Sequence, residues 1–374
     1  MKTKIAIVRG KFLNKFELQF FEPLVSKYQL LGVGSKSAFA HKYKLPVVKL
    51  VSPVDLPDFP GKMPILNRLF VDANYLYGLE KAIEGYDIAH CAESYYHFTI
   101  QCLNAKKKGL VKKVVVSIYE NIPFAAEGIW GRKSFKKRVY KESDHIIAVS
   151  NKTKSALIKE GVSSKKISVI TQHINTNIFY PVSKKRNNIT ILFTGRLEIY
   201  KGVFDFMNAA NILIKDKNLK DHKLTFMMVG QGSQKNNLIK LQKKLGIEKF
   251  FSMTAIPYEN MPAVYQDADI FIAPSRTTKH WQEQFSTVLL EAKASGLAII
   301  STRTGGIPEN VGTAGILVKE GDYREIARNA KKLILDSDYR VKLGKMARNN
   351  AISRFTINKG AQKLDNIYEA VLVS

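Results

Sequence analysis

Short apolar runs alternate with helix-patterned stretches along the chain, and this rhythm limits the fold more than any other feature. In the first half the runs fall at residues 5–8, 29–32, 47–50, 88–90, 114–117, 146–149 and 168–170, with helical patterning at 16–28, 68–84, 96–108, 133–142 and 152–160. A parallel sheet wrapped by helices has this rhythm, because each parallel strand needs a long crossover to reach the next. The pattern stops around Phe179-Tyr180-Pro181, and a polar, basic run from Ser183 to Asn188 follows. A second series then begins, with runs at 190–193, 225–229, 250–253, 270–273, 298–301 and 315–318. Its helices are expected at 203–216, 234–245 and 261–268, after Ser286, and at 323–336, 338–355 and 357–373. The expectation is an α/β protein of two Rossmann-like, doubly wound domains, residues 1–182 and 183–355, followed by a terminal segment, 356–374. A length of 374 residues fits two domains better than one.

Composition narrows the class. With 45% hydrophobic and 24% charged residues the chain can bury a large core, and no stretch reaches the roughly 18 apolar residues of a spanning helix. The start, Met1-Lys2-Thr3-Lys4 before Ile5-Ala6-Ile7-Val8, is interrupted too soon by Arg9 to be a signal peptide and reads as a first strand. Cys91 and Cys102 form neither a disulfide framework nor a metal spacing, so a reducing, cytoplasmic setting is expected. The formal charge of +27 calls for an anionic partner or surface. Its densest patch is Lys106-Lys107-Lys108 with Lys112-Lys113 and then Arg132-Lys133, Lys136-Lys137-Arg138 and Lys141, and the second group interleaves with Ile129, Trp130, Phe135, Val139 and Tyr140. That mixture suits a basic amphipathic helix on an anionic membrane, and equally a solvated helix whose lysine stems cover the core edge.

The chemistry concentrates at residues 283–296. Ser286 is in place to cap a short helix that ends at Gly296, with Glu283 on the preceding loop and Glu291 about 7 Å along the axis at ~1.5 Å per residue. A helix start offers unpaired N–H groups and the positive end of the dipole to a phosphate, and a carboxylate on either side can grip vicinal hydroxyls. A sugar nucleotide fits that layout, with Phe285, Ser286 and Thr287 giving backbone contacts. Two glutamates eight apart also occur by chance on ordinary helices, so the remaining motifs carry weight. Upstream, Thr194-Gly195-Arg196-Leu197-Glu198-Ile199-Tyr200-Lys201-Gly202 puts an arginine and a lysine on one strand-to-helix loop, where they can converge on a diphosphate leaving group. Gly10, after the first strand, and Gly230, in Val229-Gly230-Gln231-Gly232, are further places where a backbone can approach a ligand.

The chain resembles the retaining glycosyltransferases of family 4, the glycosyl transferases group 1. The resemblance is carried by Gly195-Arg196-Leu197 with Lys201-Gly202, by Gly230 and Gly232, by Ala273-Pro274-Ser275, by Glu283 and Glu291 with Phe285 and Ala292 close behind each, and by Gly305-Gly306-Ile307-Pro308-Glu309. It spans residues 189–355 closely and the first domain loosely. It implies the GT-B fold, two Rossmann-like domains facing a central cleft, with the first binding the acceptor, the second the nucleotide sugar, and the terminal helix crossing back to the first. It also implies transfer with retention from a UDP- or GDP-sugar to an acceptor hydroxyl, with neutralisation by Arg196 and Lys201 in place of a metal and no cofactor. Glu283 would then hold donor-sugar hydroxyls and Glu291 the ribose. The basic stretch adds a lipid-linked or cell-envelope glycan as acceptor and a peripheral place on the inner face of a membrane.

Three departures from the family pattern carry expectations. Ser286 replaces a usual glycine and should keep a cap. His173-Ile174-Asn175 replaces Gly-Val-Asp, with His173 expected at a positive φ. Tyr119-Glu120-Asn121 stands where relatives carry a histidine, so Glu120 as a catalytic group and Asn121 as a binding group are candidates, against a plain turn. Asp267-Ala268-Asp269 resembles a metal-holding Asp-x-Asp string but falls at a helix end, where capping explains it. The rival readings are a sugar-nucleotide epimerase on the same scaffold and a basic nucleic-acid-binding protein. No nucleic-acid motif supports the latter, and nucleic acid is not an expected partner.

Overall fold

The computed structural model describes residues 2–38, 43–183 and 188–373. The chain forms two compact units, Met1–Thr171 with Ile357–Ser374, and Gln172–Thr356. Residues 172–182, placed in the first domain by the sequence, sit in the second unit: the Ile174 amide donates to the Phe355 carbonyl at 2.8 Å, and Phe179 is in the second core. Most of the basic run read as a boundary, residues 184–187, lies outside the described residues.

The first unit is built on a seven-stranded parallel sheet: β1 (Lys4–Gly10), β2 (Gln29–Ser35), β3 (Val47–Leu50), β4 (Tyr86–Ala92), β5 (Val111–Ile118), β6 (His145–Ala148) and β7 (Ile167–Val169). Their order is β3-β2-β1-β4-β5-β6-β7. Val- and Ile-rich strands such as Val114-Val115-Val116 are buried on both faces, because one face packs Leu103, Val139 and Leu157 and the other packs Leu18, Phe21 and Leu364. Helix Ile357–Val373 supplies part of that second layer: Leu364 and Tyr368 are fully buried, and Tyr28 donates to Asp365 at 2.6 Å.

Two expected helices are shorter than their pattern. Pro23 ends the first, leaving Lys15–Gln19 and a single 3-10 turn, Glu22–Leu24. The stretch 68–84 is broken into Lys62–Phe70 and Leu79–Ala82, because Val71 turns to φ 62° and the buried Asp72 draws the chain aside. Asp72 accepts from the Asn74 amide and side chain, both at 3.0 Å, and pairs with Arg132 at 3.1 Å.

The second unit repeats the plan with β8 (Asn188–Thr194), β9 (Lys223–Val229), β10 (Phe251–Thr254), β11 (Ile270–Ala273), β12 (Ala298–Thr302) and β13 (Ile316–Val318), all parallel, in the order β10-β9-β8-β11-β12-β13. In each sheet the order reverses once, between β1 and β4 and between β8 and β11. At both places the central pair separates early. β1 and β4 are paired only from Ile5/Ile88 to Ile7/His90, while β1 follows β2 to Gly10 and β4 follows β5 to Ala92. β8 and β11 are paired only at Ile191/Ile270 and Leu192/Phe271, while β8 follows β9 to Thr194 and β11 follows β12 to Ala273. Each sheet therefore opens at the carboxyl ends of its two central strands, where doubly wound folds take ligands.

Candidate functional site

In the second unit the loops leaving β8 and β11 carry the expected motif residues and pack on each other, the Arg276 amide donating to the Tyr200 carbonyl at 2.8 Å. The first loop runs from Gly195 through a 3-10 turn, Ile199–Lys201, into helix Val203–Ile214. Two glycines make its path possible. A Cβ on Gly202 (φ 71°) would stand 1.9 Å from the Pro274 carbonyl oxygen, and one on Gly230 (φ 155°) would stand 1.9 Å from that of Gly195. No side chain fits either contact, so these glycines press the Arg196 loop against both neighbours. Lys201 then reaches the second loop, where its Nζ lies 2.6 Å from Glu283 Oε2 and 4.7 Å from the Trp281 ring centre. Ser275 Oγ donates to the same Glu283 oxygen at 3.1 Å. Arg196 is exposed, and its guanidinium lies over the ring of Tyr200, which in turn packs on Trp281. Arg196, Lys201 and Glu283 are thus linked through two aromatic rings, with both cations on the open side of the sheet.

Helix Thr287–Ala294 begins directly behind Glu283. Its first intrahelical bond is Leu289 amide to Ser286 carbonyl, so the Thr287 and Val288 amides precede the ladder. Phe285 is fully buried against Phe355, and Asn310 Nδ2 donates to the carbonyls of both Phe285 and Ser286, which fixes the turn. Thr287 Oγ1 donates to Gln172. The expected cap is corrected here. Ser286 sits at the N-cap position with φ 63° and ψ 89°, and its side chain makes no capping bond. That backbone conformation is the one glycine takes easily, which accounts physically for the glycine usual at this place. Gly296, in contrast, has the left-handed φ of 73° expected beyond the helix end.

Glu291 is only 4% exposed, one turn inside the helix. Its Oε2 accepts from Tyr265 at 2.6 Å, and Tyr265 also meets Thr194 Oγ1 at 2.7 Å, beside the strand opening. Burial raises Glu291 to about 7, with the hydrogen bonds from Tyr265 and Tyr258 opposing the rise. Asp269 accepts from the Thr190 amide at 2.8 Å, a local role at the opposite ends of the strands. Among the described residues no group of three His, Cys, Asp or Glu is placed to hold a metal.

The first unit holds the other candidates. Gly10 ends β1 with φ 56°. Glu120 and Asn121 follow β5; Glu120 Oε1 accepts from the Asn121 and Ile122 amides, both at 2.9 Å, and burial pushes its carboxyl upward. Asn121 is buried. His173, in the second unit, is buried near Phe355 and is not at positive φ, a correction that follows from its place leading into the bridge between Ile174 and Thr356. The basic stretch is also partly corrected. Helix Arg132–Glu142 turns Arg132 and Lys136 inward to Asp72 and Glu160, and Arg138 is paired with Glu142. Lys133, Lys137 and Lys141 remain on its outer face, next to a Trp130 that is 82% exposed.

Sequence reasoning did not single out Asn310, Tyr265 or Glu93. Asn310 and Tyr265 carry no motif signal, since only packing brings them to the site. Glu93, directly after β4, has φ 60° and a side chain raised to about 8 by burial and then by Glu120.

Residues 175–350 match the profile of the glycosyl transferases group 1, and residues 36–178 that of glycosyltransferase family 4. An uncharacterized glycosyltransferase of Methanocaldococcus jannaschii is 24% identical over 96% of this chain and 91% of its own length. The D-inositol 3-phosphate glycosyltransferase of Corynebacterium kroppenstedtii is 35% identical over 48% of this chain, a match that spans 40% of that protein. Among solved structures, Anabaena HepE in complex with UDP superposes with a TM-score of 0.78 at 16% identity, over 98% of this chain and all of that one. The sucrose-phosphate synthase of Thermosynechococcus elongatus gives 0.77 at 18% identity over the full length of both. At such identities the structural likeness concerns the fold.

Proposed function

Because the chain belongs to the family 4 glycosyltransferases and has their GT-B fold, we propose that it transfers a sugar, with retention, from a UDP- or GDP-sugar to an acceptor hydroxyl without a metal. The observation that carries this reading is the Lys201–Glu283 pair beside the open start of helix Thr287–Ala294. A diphosphate arriving at the Thr287 and Val288 amides would draw Lys201 and Arg196 to itself and release Glu283 for the hydroxyls of the donor sugar. Charge growing on the leaving diphosphate then meets two cations and a helix dipole that are already in place. Glu291 takes the ribose with the lone pairs that its tyrosines leave. In this reading the leaving phosphate assists deprotonation of the acceptor hydroxyl on the same face.

Relatives and neighbours support the donor class. HepE is described in complex with UDP-glucose as well as UDP, and a Bacillus anthracis relative is named N-acetyl-alpha-D-glucosaminyl L-malate synthase. For this chain we propose a glycan acceptor, lipid-linked or of the cell envelope, delivered at an anionic membrane by the Trp130 and Lys133, Lys137, Lys141 face. Lys201→Ala and Glu283→Gln are expected to lower turnover of UDP-glucose or GDP-mannose by about a hundredfold or more, the scale of removing one group that stabilises transition-state charge. Near wild-type turnover in both would remove the site.

A further inference from the structure

The opening between β1 and β4 in the first unit has the same origin as the one that carries Lys201 and Glu283, yet its chemistry is different. Where the two strands part, the Val8 and His90 carbonyls lose their partners, and the Arg9 side chain fills the gap: Nη1 donates to Val8 O at 3.0 Å and His90 O at 2.9 Å, and Nε to Glu17 at 2.8 Å. Arg9 is 2% exposed and its charge is met by Glu17. Three residues beyond the last pair, Ile7/His90, stand Gly10 on one strand and Glu93 on the other. Both have positive φ.

Two buried side-chain oxygens near this opening have no hydrogen bond. Glu93 is 4% exposed; its Oε1 accepts from the Tyr119 amide at 3.0 Å, and its Oε2 has no hydrogen bond. Asn74 is 2% exposed; its amide nitrogen is spent on Asp72, and its Oδ1 has no hydrogen bond. A Cβ on Gly10 would stand 2.9 Å from the Phe98 ring and 3.6 Å, an ordinary contact, from that Oδ1, which places the oxygen beside Gly10. A buried, unbonded oxygen destabilises the fold. Such a cost is kept at ligand sites, where the missing donor arrives with the ligand.

We propose that Glu93 Oε2 and Asn74 Oδ1 bind hydroxyl groups of an uncharged polyol or sugar at the split between β1 and β4. Only the ligand's role as sugar acceptor rests on the transferase reading. The chemistry at the opening selects the class. Asn74 Oδ1 wants a donor and the buried Glu93 carboxyl can exchange a hydrogen bond with a hydroxyl in either protonation state, while Arg9 is committed to Glu17 and Arg132 to Asp72, which leaves neither guanidinium for a phosphate or carboxylate on the ligand.

The test is melting of the full chain with saturating UDP, without and with tens of millimolar D-glucose, D-galactose, N-acetyl-D-glucosamine or myo-inositol, and with D-glucose 6-phosphate as the charged control. At least one uncharged probe should raise the melting temperature, D-glucose 6-phosphate should not exceed D-glucose, and Glu93→Gln and Asn74→Ala should each weaken the responding probe at least tenfold. Glu93→Gln is nearly isosteric, and a retained UDP shift in both variants shows that they fold. A wild type that responds to no uncharged probe, a response unchanged in both variants, or a larger response to the phosphorylated sugar would each overturn the proposal. A probe response in a protein that UDP does not stabilise would uphold it while removing the donor reading.

Discussion

Ser286 shows how one residue can keep a functional turn at a cost to the fold. Its φ of 63° holds the carbonyls of Phe285 and Ser286 toward Asn310 and leaves the next two amides open, but an L residue there is strained by about 1–3 kcal/mol. Ser286→Gly should therefore raise the melting temperature by a few degrees, the balance of relieved strain against about 0.5–1 kcal/mol of added chain entropy, and leave UDP binding in place. A drop in melting temperature would show that the serine side chain contributes more than its backbone costs. Glu291 gives a second prediction. Its carboxyl is raised to about 7, so in the unliganded protein it adds stability below about 4.5 that is lost as pH rises through 7. Ribose hydroxyls bind the ionised form, so the effect on binding has the opposite sign. The affinity for UDP should fall as pH drops from 8 to 6, by up to about tenfold for each pH unit below the Glu291 value. Calorimetry on Glu291→Gln supplies the baseline for UDP's own titration, and equal pH slopes in the two proteins would exclude the ribose role.

At the scale of elements, helix Arg132–Glu142 separates what a sequence reveals from what packing decides. Its lysines and arginines look equivalent in the sequence, but Arg132, Lys136 and Val139 recur on the buried side, and Glu160 and Asp72 lie far away in the chain. Only the remaining face, with Trp130 and Lys133, Lys137 and Lys141, is available to a bilayer. Trp130→Ala with Lys133→Glu and Lys137→Glu should abolish sedimentation with phosphatidylglycerol vesicles, since each basic side chain near such a surface contributes about 1 kcal/mol. Arg138→Gln, a change to a paired residue, should not. No vesicle binding by the wild type would remove the membrane from the functional reading. Strands were the most legible elements, because burial on both faces leaves an apolar run in the sequence: β11, buried at every position, begins and ends where the pattern does. Helix Lys62–Phe70 was hidden. It exposes Ile65 and Leu69, buries Lys62, and stops at a positive-φ valine, each of which contradicts an amphipathic pattern. The site divides in the same way. Arg196, Lys201, Glu283 and Glu291 were legible because their spacing on one loop and one helix is local, whereas Asn310, Tyr265 and the Glu93–Asn74 opening depend on tertiary packing.

For the whole molecule, the two units differ in how the chain supplies them. The second is one continuous segment, Gln172–Thr356, with apolar layers on both faces of its sheet. The first is completed by the last helix, which returns Leu364, Ile367, Tyr368 and Val371 to a layer shared with Ile5, Ile7 and Ile88. Those four side chains contribute on the order of 6–12 kcal/mol at roughly 1.5–3 kcal/mol each, comparable to the net stability of a domain. Tyr368 also meets His90 Nδ1 at 2.6 Å, a buried polar contact left open without the helix. The segment 172–356 expressed alone should therefore melt cooperatively and be stabilised by UDP. Residues 1–171 alone should show no cooperative transition and should bind a hydrophobic dye, and a peptide of residues 357–374 added in trans should restore the transition. A sharp transition in 1–171 without the peptide would mean that the first sheet holds its core unaided, and that the terminal helix serves some purpose other than closing it.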